Sequence, residues 1–107
     1  MGDTLDFRTL SNRQLQTYIR QTAKDSSKVF FTEHACIRMS TRSVSDREVM
    51  RCLQNGLIER PAAIDKKNGV VKCRMEHFGS NRNLAVVVAL DNADPDLVVV
   101  TVMTRTR

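Results

Sequence analysis

Residues 70–104 read VVKCRMEHFGSNRNLAVVVALDNADPDLVVVTVMT, and this stretch decides the fold class. It holds three β-prone runs, Val70 to Phe78, Leu84 to Leu90 and Leu97 to Thr104, each rich in β-branched or aromatic residues. The connectors Gly79-Ser80-Asn81-Arg82 and Asp91-Asn92-Ala93-Asp94-Pro95-Asp96 are built from turn-forming residues. Both are too short for a crossover, so the runs are expected to form an antiparallel meander. The middle run is apolar at every position, which predicts a central strand covered on both faces or nearly so. Leu57-Ile58-Glu59-Arg60 is a further candidate strand, confined by Pro61 to an edge or to its own end.

Upstream the period changes from two to 3.6. Ser11-x-x-Gln14 is a capping box with Leu10 and Leu15 as its hydrophobic staple, predicting a helix from about Asn12 to Lys24. Its stripe Leu15, Tyr18, Ile19 and Ala23 faces the core. Val29-Phe30-Phe31 reads as a short strand ending at Thr32, which caps a second helix from Glu33 to about Thr41. Ser45-x-x-Glu48, stapled by Val44 and Val49, opens a third helix from about Asp46 to Gln54, stopped by Asn55-Gly56. The expected architecture is α+β, a mostly antiparallel sheet of four to five strands with helices packed against it.

The 107 residues suit one domain, and 41% hydrophobic with 27% charged residues is the balance of a globular protein. The longest apolar run, Leu84 to Leu90, is far short of the roughly 20 residues that cross a bilayer, and Met1 to Leu10 has no apolar signal region. A cytoplasmic protein without membrane association is expected. Cys36, Cys52 and Cys73 are widely spaced among apolar neighbours, which predicts buried free thiols; no Cys-x-x-Cys pair proposes a zinc site, and no cofactor is expected. Seventeen Lys and Arg against 12 Asp and Glu give a charge of +5, suited to a polyanionic partner such as RNA or another nucleic acid.

The chemistry gathers on the second helix. At about 100° per residue, His34, Arg38 and Arg42 drift only about 40° apart at each step, giving a cationic stripe beside Ala35, Cys36, Ile37 and Met39. A histidine exchanges a proton near neutral pH, and arginines one and two turns on hold a phosphate while charge builds on it. The plainer alternative is a helix-start histidine and two solvated arginines paired with Glu33 or Asp46. His77 alternates with Lys72, Arg74 and Glu76 and shares a face with Val71, Cys73 and Met75. It is a core-edge histidine if that face packs on helices, and a second acid–base group if the strand end opens beside the second helix. Thr101 and Arg105 share one face of the last strand, and Thr104 takes the other.

Phe31-Thr32-Glu33-His34-Ala35-Cys36-Ile37-Arg38-Met39-Ser40-Thr41-Arg42 resembles the His-Ala-x-x-Arg-Met-x-x-Arg helix of a bacterial and phage family, domain of unknown function 4258. The resemblance continues through Val44 to Val49, the Gly56 turn, Lys72 to Phe78 and Val100 to Thr104. It covers about Val29 to Arg105, so 1–28 reads as an N-terminal helical extension and 29–107 as the family-like domain, in one compact unit. Ser43 stands where the family often has glycine, and Thr32 where serine is commoner. The element order is similar to that of the RelE-like metal-independent endoribonuclease toxins. That resemblance implies an RNA-cleaving protein with a cognate antitoxin or immunity protein. On that reading His34 is the acid or base, Arg38 and Arg42 clamp the phosphate, and His77 complements His34. Lys72, Arg74 and Arg105 then steer the strand, and Thr101 donates to a phosphate oxygen. Fold analogy does not fix function, and two other readings stand beside it: a non-catalytic basic nucleic-acid-binding or regulatory module, and an adaptor that binds protein through its first helix.

Overall fold

A computed structural model describes residues 6–79 and 82–105, apart from the side chains of Pro95 and Arg105. Among the described residues three α-helices, α1 (Asn12–Thr22), α2 (Glu33–Arg42) and α3 (Asp46–Asn55), combine with six strands. The strands are β1 (Val29–Phe31), β2 (Leu57–Ile58), β3 (Ala63–Ile64), β4 (Val71–Phe78), β5 (Asn83–Asp91) and β6 (Asp94–Arg105). The sheet runs β1-β6-β5-β4-β2, with β3 also paired to β4. The fold is therefore α+β with a mostly antiparallel sheet, as the sequence implies.

Three features differ from the expectation. β1 joins β6 in parallel, Val29 opposite Leu97 and Phe31 opposite Val99, a pairing between the two ends of the fold that no hairpin signal announces. β3 is a two-residue strand after Pro61, too short for a period to show. The β5–β6 connection is tighter than its composition suggests: Asp91 already pairs with Asp94, so the strands absorb most of the turn-like residues. Ser80 and Asn81, read as turn residues between β4 and β5, lie outside the described residues.

The helix ends follow their capping chemistry. In α1 the Gln14 amide donates to the Ser11 hydroxyl at 3.2 Å and the Ser11 amide to Gln14 Oε1 at 2.9 Å; α3 repeats the arrangement with Ser45 and Glu48. Thr32 accepts from the Ala35 amide at 3.1 Å while its hydroxyl points at the carbonyls of Val99 and Val100, tying the start of α2 to β6. α2 ends in a left-handed residue, Ser43, with φ 56°. The Val44 amide reaches back to the Met39 carbonyl at 2.8 Å and closes the last turn.

One face of the sheet carries Val71, Cys73, Met75, Leu84, Val86, Val88, Leu90, Leu97, Val99 and Val102, all buried against Leu15, Ile19, Val49 and Leu53 of α1 and α3. Burying these side chains is the main stabilising term of the domain. Alternate residues point the other way. There β5 shows Ala85 buried and Val87 and Ala89 half-buried, so the central strand is covered completely on one face and in part on the other.

A second correction concerns α2. Ala35 and Met39 are buried, but Cys36 is exposed and Ile37 is 56% exposed. The helix touches the core along one narrow i, i+4 stripe, and Cys36 and Ile37 lie round from it on the side that faces solvent. Cys52 and Cys73 are buried as expected, and burial pushes their thiols up to about 12 and about 11.

Candidate functional site on α2 and the open sheet face

The α2 stripe rotates into the protein as it descends. Relative to the buried pair Ala35 and Met39, His34 lies furthest round and is exposed, while Arg38 and Arg42 are half-buried. Arg38 Nε donates to His34 Nε2 at 3.4 Å. Among the described residues neither Arg38 nor Arg42 pairs with Glu33 or Asp46, and Arg42 Nε is buried without a hydrogen-bond partner. In this contact Nε2 is the acceptor, so it is the ring nitrogen that faces the guanidinium.

The carboxyl end of α2 is fixed by Arg82. Its Nη1 and Nη2 donate to the carbonyls of Arg42 and Ser43 at 3.1 and 2.6 Å, and its Nε and Nη2 to Glu48 Oε2 and Oε1 at 3.0 and 2.8 Å. With Thr32 anchoring the other end, α2 runs beside the second half of β6. His34 stands two residues beyond the Thr32 anchor, and Thr101 one residue beyond Val100 on the strand that Thr32 binds.

Strand register sorts the other candidates by face. Arg74 lies opposite Val87, and Val87 opposite Thr101, making one row across β4, β5 and β6. Lys72, Ala89, Val98 and Phe30 form a parallel row, and Phe78, Asn83 and Arg105 another; the Arg105 side chain lies outside the described set. All of these positions are on the face turned away from α1 and α3. Lys72 is exposed, while Arg74 and Thr101 are half-buried. His77 lies opposite Leu84, itself opposite Thr104, on the helix-covered face, where it is half-buried at the end of the core. The sheet thus brings Lys72, Arg74 and Thr101 together and separates them from His77.

Three residues on the open face escape a reading based on charge and motif. Phe30 and Phe78 are 52% and 56% exposed, and alternation from the buried Val29 and from Met75 was the signal that places them outward. Glu76 is only 3% exposed beside Arg74, whose Nε lies 3.7 Å from Glu76 Oε2 and has no hydrogen-bond partner. Nothing in the sequence distinguishes a carboxylate buried in this way from a solvated one. Among the described residues no three His, Cys, Asp or Glu side chains converge as metal ligands, and no helix is long and apolar enough to cross a membrane.

An α+β domain with a capped His-Arg-Arg helix at the edge of its sheet is the class these elements define. The chain belongs to the family described as domain of unknown function (DUF4258), whose model matches residues 31–104. No curated protein and no solved structure matches significantly.

Proposed function

We propose that this chain acts on RNA and cleaves its phosphodiester backbone without needing a metal ion. The observation that carries the reading is the pairing of His34 Nε2 with Arg38 Nε at 3.4 Å on an exposed helix face, with Arg42 one turn further on. RNA supplies its own nucleophile, so the protein need only accept a proton and stabilise charge. His34 Nε2 takes the 2′-hydroxyl proton once a phosphate draws Arg38 onto its oxygens. The 2′ oxygen attacks phosphorus, the bond to the 5′ oxygen breaks, and that oxygen takes a proton from water. The products end in a 2′,3′-cyclic phosphate and a 5′-hydroxyl. Arg38 and Arg42 meet the charge on the phosphorane; Lys72, Arg74 and Arg105 attract the strand, and Thr101 donates to a phosphate oxygen.

His77 has no part in this step. It stands on β4, two strands or about 10 Å across the sheet from β6, on the face opposite Arg74 and Thr101, whereas His34 lies beyond the β6 edge. The test is cleavage of a labelled RNA by the purified chain and by its His34→Ala variant, in the presence of EDTA. Loss of about 10² to 10⁴ in rate with an unchanged thermal melt is expected. A fully active His34→Ala protein removes the mechanism. RNA binding that falls steeply with salt, with no cleavage by the unaltered chain, leaves the non-catalytic binding module instead.

A further inference from the structure

We propose that the sheet face turned away from the helices is a platform for single-stranded nucleic acid, on which bases stack against Phe30 and Phe78. This rests on the reading of the chain as RNA-acting and adds the form of the substrate and the residues that hold its bases. Phe30 and Phe78 are each more than half exposed, one on the outermost strand of the sheet and the other at the far end of β4. Three strand spacings and six residues separate them by register, a diagonal of roughly 25 Å. Between them β5 contributes Ala85, Val87 and Ala89, short side chains that make a low apolar floor along the centre of the sheet.

The charges on this face decide the occupant. Lys72 is exposed and Arg74 is 22% exposed, its buried Nε 3.7 Å from Glu76, which is sealed from solvent at 4% side-chain exposure; by alternation the other acids of this face, Asp91 and Asp96, stand at its Lys72 end. Glu76 pairs with Arg74 and offers no negative surface, so away from the end that carries Asp91 and Asp96 the floor presents aromatic, apolar and cationic groups. Unpaired bases have free π-faces for the phenylalanines and a backbone for the cations. In a duplex the bases are stacked inside and reach neither ring. A protein would have to supply acids above Lys72 and Arg74 and an apolar surface above the alanine floor at the same time. The row Arg74-Val87-Thr101 leads to the edge where α2 begins, so a strand lying on the platform is delivered to His34.

The experiment uses a labelled 2′-O-methyl strand of about 12 nucleotides, which lacks the attacking hydroxyl and is not cleaved, against the same sequence as a duplex, by fluorescence anisotropy. Phe30→Ala and Phe78→Ala should each weaken single-strand binding by about 5- to 100-fold. Ile37→Ala, equally exposed on α2, should leave it unchanged, and all three should melt as the unaltered chain does. The chain has no tryptophan, so Phe30→Trp supplies one fluorophore; it should keep its affinity, and its emission should be quenched by the single strand. Unchanged binding in both alanine variants, equal affinity for the duplex, or an unquenched indole overturns the platform while RNA cleavage by the unaltered chain still stands. Unchanged RNA affinity together with release of a bound protein by Phe30→Ala assigns the face to a protein partner and also overturns it. Neither binding nor cleavage of RNA by the unaltered chain overturns both readings.

Discussion

Arg82 and Glu48 meet in a two-pronged ion pair, Nε to Oε2 at 3.0 Å and Nη2 to Oε1 at 2.8 Å, while the same guanidinium holds the carbonyls of Arg42 and Ser43. One side chain from the β4–β5 connection therefore closes α2 and braces α3. Arg82 holds the Glu48 carboxyl below its ordinary range, with the Ser45 amide adding to the effect. A lowered carboxylate contributes stability above its unfolded pKa and loses it as pH falls through the folded value. Both groups are about a third exposed, and solvent screening limits the ion pair itself to about 0.5–1 kcal/mol. Arg82→Ala, which also frees two carbonyls, should cost about 1–3 kcal/mol at neutral pH. Urea unfolding should show the gap between variant and unaltered chain narrowing as pH falls below about 4, where Glu48 becomes protonated first in the unfolded chain and, at lower pH, in the folded one.

Ser43 occupies a left-handed position, φ 56° and ψ 45°, that costs a residue with a Cβ about 1 kcal/mol. Ser43→Gly should raise the urea midpoint by the equivalent of about 0.5–1 kcal/mol, reduced somewhat by the added freedom of the unfolded chain. Ser43→Val should lower it by more, because a β-branched side chain is excluded from that region.

Gly56 is required for a different reason. A Cβ there would stand 2.5 Å from the Cys52 carbonyl oxygen and 2.9 Å from that of Glu76, both backbone atoms. Arg20 binds the Gly56 carbonyl at 2.9 Å, so the segment has little room to shift. Gly56→Ala should destabilise by about 1–3 kcal/mol or more, as overpacking does, and a thermal melt would measure it.

What the sequence reveals follows range. Both capping boxes, the three helices, the meander and the α2 stripe are set by residues within a few positions of one another, and each is legible. The parallel pairing of β1 with β6 and the grip of Arg82 on α2 join residues 39 or more positions apart, and composition does not encode such partners. Cys36 shows the limit of reading polarity as burial: its apolar neighbours suggest the core, but the narrow contact of α2 leaves it outside. Of the site, the His34, Arg38 and Arg42 stripe follows from helical period and the facing of Lys72, Arg74 and Thr101 from alternation. Alternation also puts His77 on the other face from Lys72 and Arg74, but that this is the face the helices cover was open until the helices were placed.

The three thiols should separate by reactivity. Cys36 is exposed, while Cys52 and Cys73 are buried, with thiols raised by desolvation to about 12 and about 11. The thiolate is the reactive form. At about pH 8, an aromatic disulfide reagent should therefore titrate one thiol per native chain and three in denaturant. Two fast thiols in the native chain would contradict the packing of α3 on β4.

The geometry of Arg38 makes the last prediction. Its Nε reaches the ring nitrogen proposed to take the proton, so one planar group orients the imidazole before the strand binds and then turns its fork onto the phosphate, leaving that nitrogen to act as the base. Lysine keeps the charge but has no fork and no Nε, and a flexible ammonium does not hold both partners. Arg38→Lys should then retain most RNA affinity, which is largely electrostatic, yet lose about 10- to 100-fold in kcat. Arg38→Gln, without the charge, should lose affinity as well. Single-turnover cleavage alongside binding of an uncleavable strand separates the two effects. Equal loss of binding and turnover in Arg38→Lys would mean that Arg38 serves as a point charge only, and that its contact with His34 has no part in the reaction.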